Sequence, residues 1–335
     1  VAPRQATAHD LFAPTVRRDR PQPKAVAARL GREPRIGLIH NARARHNIGR
    51  HVPLLVTGGD HVMPQTHEEL HDVVASFVTK GIDTVIIDGG DGTVRDVLSV
   101  IARYFPAYRP RLAIVPSGKT NALALDLGIS ADWTLDQAVH GALHGELEER
   151  APIEVWRDGA DRPELSGFIF GAGAFVRATQ TAQKTHRIGA FNGAAVGLSI
   201  AAAVGQSLFG GAHNPWRRGE AMQLACDGGA AVAGPQYLVL ASTLRRLPLG
   251  IKPFGPARAG LKMLRIAAPP VRIAQAVPAI LMGLDWTWLR DAGYDRQDAR
   301  RIDVVLDNGF VLDGETFEGG RLSLRQGAPL SFIVP

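Results

Sequence analysis

Hydrophobic positions fall into two textures along the chain. Up to about residue 150, continuous apolar runs alternate with stretches of helical spacing. Residues 35–39 form an apolar run ending in His40 and Asn41, and residues 54–56 form another. Residues 68–78 carry Leu70, Val73, Val74 and Phe77 on one helical face. Residues 84–87 read as a buried strand entering Asp88-Gly89-Gly90-Asp91-Gly92-Thr93, after which Val94, Val97, Leu98 and Ile101 mark a helix. Residues 112–115 repeat the scheme, with a turn at Pro116-Ser117-Gly118-Lys119-Thr120 and a helix over 121–127 closed by Gly128. Strands alternating with helices predict a mostly parallel α/β sheet.

Beyond residue 150 the apolar runs shorten, at 167–170, 237–241, 302–306, 310–312 and 330–334, with Gly, Pro and Asp between them. That texture predicts an antiparallel β-rich second domain. Residues 1–33 mix Pro, Ala and Arg without a period and predict a mobile tail. The expected organisation is thus a tail over 1–33, an α/β domain over 34–150 and a β-rich domain over 151–335. Residues 188–209 are apolar but mostly Gly and Ala, interrupted by Asn192, Ser199, Gln206 and Ser207, and predict a buried or interfacial helix rather than a membrane span.

Composition narrows the class. The 335 residues, 45% hydrophobic and 21% charged, supply enough apolar side chains for two cores and exclude wholesale disorder. The single cysteine, Cys226, excludes an internal disulfide and a cysteine zinc cage. With no apolar signal-like core near the N-terminus, the expected location is the cytoplasm. Net charge is +6, but residues 165–284 hold twelve Lys/Arg against Glu220 and Asp227. That block predicts a polyanionic neighbour, either nucleic acid or an anionic membrane.

Three motifs compete for chemistry. At Gly89-Gly90-Asp91-Gly92-Thr93 the glycines allow a tight turn, and successive N–H groups at a helix start suit phosphate. Asp91 sits there to handle a metal or a proton; the competing reading is an ordinary turn with an Asp cap. The run 113–120, AIVPSGKT, nearly matches a phosphate loop, but it lacks the first glycine and its strand leaves too short a turn to wrap a phosphate chain. Lys119 remains a point charge for phosphate or an exposed turn lysine. His67-Glu68-Glu69-Leu70-His71 is a literal HExxH on a helix, but no glutamate follows Glu69 before Glu146 and position 77 is Phe, so no third zinc ligand suggests itself.

Taken together, these residues resemble the diacylglycerol kinase catalytic family, which includes bacterial lipid kinases and the related sphingosine and ceramide kinases. IGLIHNARAR is similar to the family's strand followed by Asn-Pro-x-Ser-Gly, with Asn41 retained, and Thr66 falls at the threonine before the first long helix. DGGDGTVRDVL matches G-G-D-G-T-x-x-E-V. PSGKTNALALDLGI matches Pro-x-Gly-Thr-x-Asn-x-x-Ala through Pro116, Gly118, Asn121 and Ala124, and LDGETF matches the family's Asp-Gly-Glu at Asp313-Gly314-Glu315.

The resemblance implies an NAD kinase/diacylglycerol kinase-like α/β nucleotide-binding domain followed by a β-sandwich-like domain, with the site between them. It implies transfer of the ATP γ-phosphoryl group to a lipid hydroxyl, such as that of diacylglycerol, with Mg²⁺. Asn41, Thr66, Gly89, Gly90, Gly92, Thr93, Gly118, Lys119 and Asn121 are then expected at the nucleotide. Asp91 is expected at metal or nucleophile, and Glu315 as general base. Departures are Lys119 for Thr, Ala122 for a frequent Asp, and Gly171-Ala172-Gly173-Ala174-Phe175, which lacks the Asp of G-x-G-x-D. These motivate an alternative, a nucleotide- or lipid-binding homologue without catalysis. For the leading reading, Arg245, Arg246, Lys252, Arg258, Lys262 and Arg265, interleaved with Leu247, Leu249, Ile251, Phe254 and Leu261, predict a surface for the anionic inner membrane face. No nucleic-acid-binding module is recognisable.

Overall fold

A computed structural model describes residues 33–48, 60–105, 109–186 and 215–335. The predicted tail, the run at 54–56 and the apolar segment 188–209 lie outside the described residues.

The first domain runs β1 (Ile36–His40), β2 (Asp60–Val62), α1 (His67–Thr79), β3 (Thr84–Gly89), α2 (Asp91–Tyr104), β4 (Arg111–Pro116), α3 (Ala122–Leu127), α4 (Leu135–His144) and β5 (Glu146–Arg150). The second continues with β6 (Ile153–Arg157), β7 (Leu165–Gly167), β8 (Ile169–Gly173), α5 (Ala174–His186), α6 (Pro215–Arg218), β9 (Glu220–Cys226), β10 (Val232–Ser242), β11 (Leu261–Ala267), α7 (Ile273–Leu281), α8 (Thr287–Asp291), β12 (Tyr294–Ala299), β13 (Arg301–Leu306), β14 (Phe310–Leu312), β15 (Glu315–Phe317), β16 (Gly320–Gln326) and β17 (Leu330–Val334).

The first sheet has the order β2-β1-β3-β4-β17-β5, parallel except for the β5–β17 pair. All six residues of β3 are buried, as expected of a central strand covered on both faces. Leu70, Val74 and Phe77 of α1 and Val97, Leu98 and Ile101 of α2 pack on one face, and Ala138 and Ala142 of α4 pack on the other. Thr66 caps α1 by accepting from Glu69 N–H, and Thr134 caps α4 in a reciprocal box with Gln137.

The predicted antiparallel texture is realised as an eleven-stranded sheet enclosing a second core of Phe170, Met222, Leu224, Ile302, Val304, Phe310 and Leu324. One departure concerns the chain's last strand. The apolar run 330–334 was assigned with the second domain, but β17 crosses back and fills the first sheet between β4 and β5, with Phe332 and Ile333 fully buried. Its residues are apolar on both faces, which suits a strand between helical layers better than the half-solvated outer sheet.

α2 is where the domains meet. Ser166 N–H on β7 donates to Ser99 Oγ of α2 at 2.9 Å, and the buried Arg95 of α2 donates to the Leu312 carbonyl at the end of β14. Its guanidinium also lies over the Phe317 ring, 5.1 Å from the centroid. The helix that begins at the glycine turn therefore also anchors the β14–β15 turn.

Candidate active site

In open α/β sheets ligands settle at the carboxyl ends of the strands, where the strand order reverses. Here the chain goes from β1 outward to β2 on one side and to β3 and β4 on the other, so the reversal lies between β1 and β3. The ends of β1, β3 and β4 are tied together around Asp88, the buried penultimate residue of β3. Its carboxylate accepts from Asn47 Nδ2 at 2.9 Å and from the Ser117 hydroxyl, and it pairs with His40 Nδ1 at 2.7 Å. Asn41 N–H donates to the Asp88 carbonyl, and Ser117 N–H to the Gly89 carbonyl. A buried carboxylate with three partners makes this junction rigid.

The two glycine turns touch. A Cβ on Gly118 would lie 2.5 Å from Gly90 Cα, and one on Gly90 would lie 2.9 Å from Gly118 Cα. A Cβ on Gly89 would meet the Thr93 side chain at 2.6 Å. These three glycines are thus demanded by packing, whereas a Cβ on Gly92 would meet nothing closer than 3.8 Å. Asn121, at φ 50°, holds the second turn: its Oδ1 accepts from Gly118 N–H at 2.9 Å and its Nδ2 donates to the Pro116 and Gly118 carbonyls. Its αL backbone is one that Asn tolerates better than most residues. Lys119 is exposed on the same turn.

Three of the expected nucleotide residues line one cavity of about 310 Å³: Asn41, Thr66 and Thr93, joined by Gln65, His67 and Asp96. Asn41 Nδ2 donates to Thr93 Oγ1 at 2.8 Å, fixing both on its wall. The volume lies at the lower end of small-molecule sites. The histidines of HExxH diverge in use, since His67 lines this cavity while the His71 ring packs edge-on against Tyr104 at 5.6 Å.

Asp91 heads α2 and points across to α3. The N-cap residue of α3, Asn121, makes no side-chain cap, and Asp91 Oδ1 accepts from Ala122 N–H at 2.7 Å instead. The N–H groups of Asn121 and Leu123 also favour its charge, but burial outweighs them and pushes the carboxyl up to about 6. Within reach of its charge is Asp313, in the β14–β15 turn at φ 46°. Asp313 accepts from Phe168 N–H and Ile169 N–H at 3.0 and 2.8 Å. Burial first, and the nearby Asp91 charge second, push it up to about 7, with Arg95 opposing. Glu315, the residue expected as base, is exposed on β15; the carboxyl that feels the Asp91 charge is that of Asp313, two residues earlier in the same motif.

Among the described residues no three His, Cys, Asp or Glu side chains converge as a metal cage. The site still fits a magnesium ion that arrives with phosphate, because Mg²⁺ is commonly held by one or two carboxylates plus phosphate oxygens and water. Asp91 supplies such a carboxylate beside the phosphate-suited turn.

Of the cations in the basic surface predicted, Arg245, Arg246 and Lys252 are exposed, whereas the others are engaged within the domain. Lys262 is buried and donates to the Arg258 and Gly260 carbonyls at 3.0 and 3.1 Å, and its ammonium is pushed down to about 8, by burial first. Arg258 pairs with Asp298 at 2.6 Å and Arg265 with Asp295, while Leu247, Phe254 and Leu261 are core.

Fold and site define a parallel α/β domain whose two glycine turns meet at the strand ends, followed by an antiparallel β domain. Residues 40–155 match the family model for the diacylglycerol kinase catalytic domain. Over 108 residues the chain is 31% identical to the diacylglycerol kinase of Mycobacterium tuberculosis (strain ATCC 25618 / H37Rv), covering 30% of this chain and 32% of that protein. Over 66 residues it is 35% identical to the "Probable lipid kinase YegS-like" of Enterobacter sp. (strain 638), covering 20% and 21% respectively. These alignments therefore span between a fifth and a third of the relatives' lengths. A solved diacylglycerol kinase of Bacillus anthracis str. Sterne superposes with a TM-score of 0.60 at 16% identity, over 90% of this chain and 97% of that one, which shows a shared fold across both domains. Residues 40–155 are thus similar to a diacylglycerol kinase catalytic domain, and the stretches aligned with the diacylglycerol kinase and YegS-like relatives cover about a third of this chain or less.

Proposed function

We propose that the protein transfers the γ-phosphoryl group of ATP to a lipid hydroxyl, with diacylglycerol as the first candidate acceptor. The observation that carries this reading is the placement of Asp313, held on the Phe168 and Ile169 N–H groups at the β14–β15 turn that Arg95 of α2 anchors, where the Asp91 charge is felt. One carboxyl tuned to about 7 beside phosphate-suited backbone is the arrangement a general base needs near neutral pH.

In this reading Asn41, Thr66 and Thr93 contact the nucleotide in the cavity, and the N–H groups at the open Gly92 position face its phosphates. Gly89, Gly90, Gly118 and Asn121 keep the turns close, and Lys119 supplies positive charge at the rim. Asp91 would hold a magnesium ion, which would neutralise charge on the phosphates. Asp313 takes the proton of the attacking lipid hydroxyl, and Arg95, bonded to the Leu312 carbonyl, sets where that carboxylate stands. Because Asp313 belongs to the second domain, the acceptor enters between the domains and the nucleotide from the first.

A second reading, nucleotide binding without transfer, is favoured by Ala122 and Phe175, which stand where the family resemblance leads one to expect acids. The Phe175 ring instead lies over Gly171. Incubation of the purified full chain with γ-labelled ATP, Mg²⁺ and detergent-dispersed diacylglycerol, monoacylglycerol or long-chain base decides between them. Label on a lipid supports the kinase; ATP binding by calorimetry with no labelled lipid supports the second reading.

Among the described residues no helix is long and apolar enough to cross a membrane.

A further inference from the structure

We infer that the protein docks on an anionic lipid bilayer through an apolar rim of the second domain made by Leu249, Met282 and Trp286, an inference that rests on the lipid-kinase reading. These side chains are 56%, 61% and 49% exposed, unlike the rest of the apolar residues in the predicted basic surface, which are buried or half-buried. They belong to two adjoining segments, 248–253 and 280–288. Lys252 N–H donates to the Leu281 carbonyl at 2.7 Å. The Arg296 side chain, itself half-buried, donates to the Pro253, Leu284 and Ile280 carbonyls at 2.7, 2.6 and 3.1 Å. Gly283, at φ 79°, lets the segments close up, because a Cβ there would lie 3.0 Å from Lys252 Cβ. The rim is therefore a braced platform.

Its details favour a bilayer over a protein groove or bulk water. Leu249 holds a left-handed backbone, φ 62°, which a leucine adopts reluctantly, and yet turns its side chain outward. Trp286 stands beside Trp288 with ring centroids 6.2 Å apart, and Arg272 lies over Trp288 at 6.0 Å. Tryptophans at the edge of an apolar patch, with cations alongside, suit the headgroup level of a membrane. Lys252 and Arg272 are exposed and form no ion pair among the described residues, Asp285 within the rim is bridged to Arg290, and the exposed Asp291 offsets one cation, so the rim keeps a small net positive charge. An anionic leaflet complements that surplus of positive charge. The rim is also joined to the candidate active site: Arg246 N–H, three residues before Leu249, donates to Asp126 on α3, the short helix whose other end is held by Asp91.

The test uses the full chain without ATP, so that its outcome is independent of whether transfer occurs. Flotation with phosphatidylglycerol–phosphatidylcholine vesicles is compared for the wild type, for Leu249→Asn with Met282→Gln and Trp286→Gln, and for Val232→Gln, an apolar side chain exposed on β10. The triple variant is expected to bind at least about tenfold more weakly, since apolar burial drives interfacial binding, and Val232→Gln to bind as wild type. As a readout that needs no disruptive change, acyl-brominated lipid should quench the wild-type fluorescence, and Trp286→Phe should remove most of that quenching. Vesicle binding that is unaffected by the triple variant, or absent in the wild type, overturns the proposal. A dimer that the triple variant dissolves, without vesicle binding, also overturns it by giving the rim to a second copy. A kinase assay that fails while the flotation result holds would remove the catalytic reading and leave the docking surface standing.

Discussion

The glycine turns of the first domain and the basic run of the second are the two regions whose sequences promised most, and folding treated them in opposite ways. At Gly89 to Gly118 the residues with chemical promise converge: two turns meet backbone to backbone, and Asp91, Thr93 and Asn121 surround them. In the run 245–265 the cations part ways, with Arg245, Arg246 and Lys252 exposed, Lys262 buried on carbonyls, and Arg258 and Arg265 paired to Asp298 and Asp295 of β12. A glycine's lack of Cβ cannot be altered by a distant residue, whereas a side-chain charge can be neutralised by any acid the fold brings near. Sequence motifs built on sterics are therefore more durable guides than those built on net charge.

The largest expected effect tests whether convergence at the turns has catalytic meaning. Asp313→Asn should lower phosphoryl transfer by about 10²–10⁴-fold, the usual worth of a general base, with ATP affinity by calorimetry little changed. Glu315→Gln, exposed on β15, should cost less than about tenfold on the same scale. The reverse ranking in a labelled-lipid assay would return the base to Glu315.

Next comes the steric contrast within the turn. Gly118→Ala forces a Cβ against Gly90 Cα at 2.5 Å and should destabilise by about 1–3 kcal/mol in urea unfolding, as overpacking does. Gly92→Ala has space for its methyl inside α2 and should leave stability unchanged or raise it by up to about 1 kcal/mol. Its effect should fall on the KM for ATP. Equal destabilisation by the two would break the distinction between packing glycines and an open phosphate position.

The carboxyl pair gives a pH dependence with a definite sign. Asp313 has a folded value near 7, above the unfolded value of about 4, so between these the native state holds a proton that the unfolded chain has released. Its contribution to stability is full below about pH 4 and is lost as pH rises through about 7. Thermal unfolding of Asp313→Asn should therefore show a weaker decline over that window than wild type. Transfer activity should move the other way, rising as Asp313 ionises. An unchanged stability profile in the variant would mean that the pair does not titrate as described.

The smallest effect probes the dispersed cations. Arg265→Gln removes a pair whose acid is half-exposed, so solvent screening keeps the expected loss to about 0–1 kcal/mol by urea unfolding. Vesicle affinity should stay the same, because Arg265 is already engaged. A marked loss of vesicle binding would restore the basic run as a membrane surface.

Much of the fold was legible before any coordinates. The periodic stretch 68–78 became α1, residues 84–87 became β3, and Gly128 closes α3 at φ 79°. Hydrophobic period and turn chemistry are local, and the elements they specify survived intact. The cavity residues Asn41, Thr66 and Thr93 were also named from motifs and do share one wall. The Asp88 junction belongs to none of the motifs, although an acid at the end of a buried strand just before two glycines is itself a signal, since a buried carboxylate must find donors.

By itself the sequence determined the alternation of strands and helices, the two turns that must be glycine, and the presence of carboxylates at Asp91 and in Asp313-Gly314-Glu315. Only the tertiary structure decided which of those last acids is buried within reach of the Asp91 charge, that residues 330–334 return to the first sheet, and that the exposed apolar rim lies at Leu249, Met282 and Trp286. The reason is the range of the forces involved. Backbone sterics and hydrophobic period act among neighbours along the chain, whereas burial, charge pairing and carboxyl ionisation are set by residues brought together from distant segments, as Asp313 is with Phe168 and Ile169, and Arg265 with Asp295.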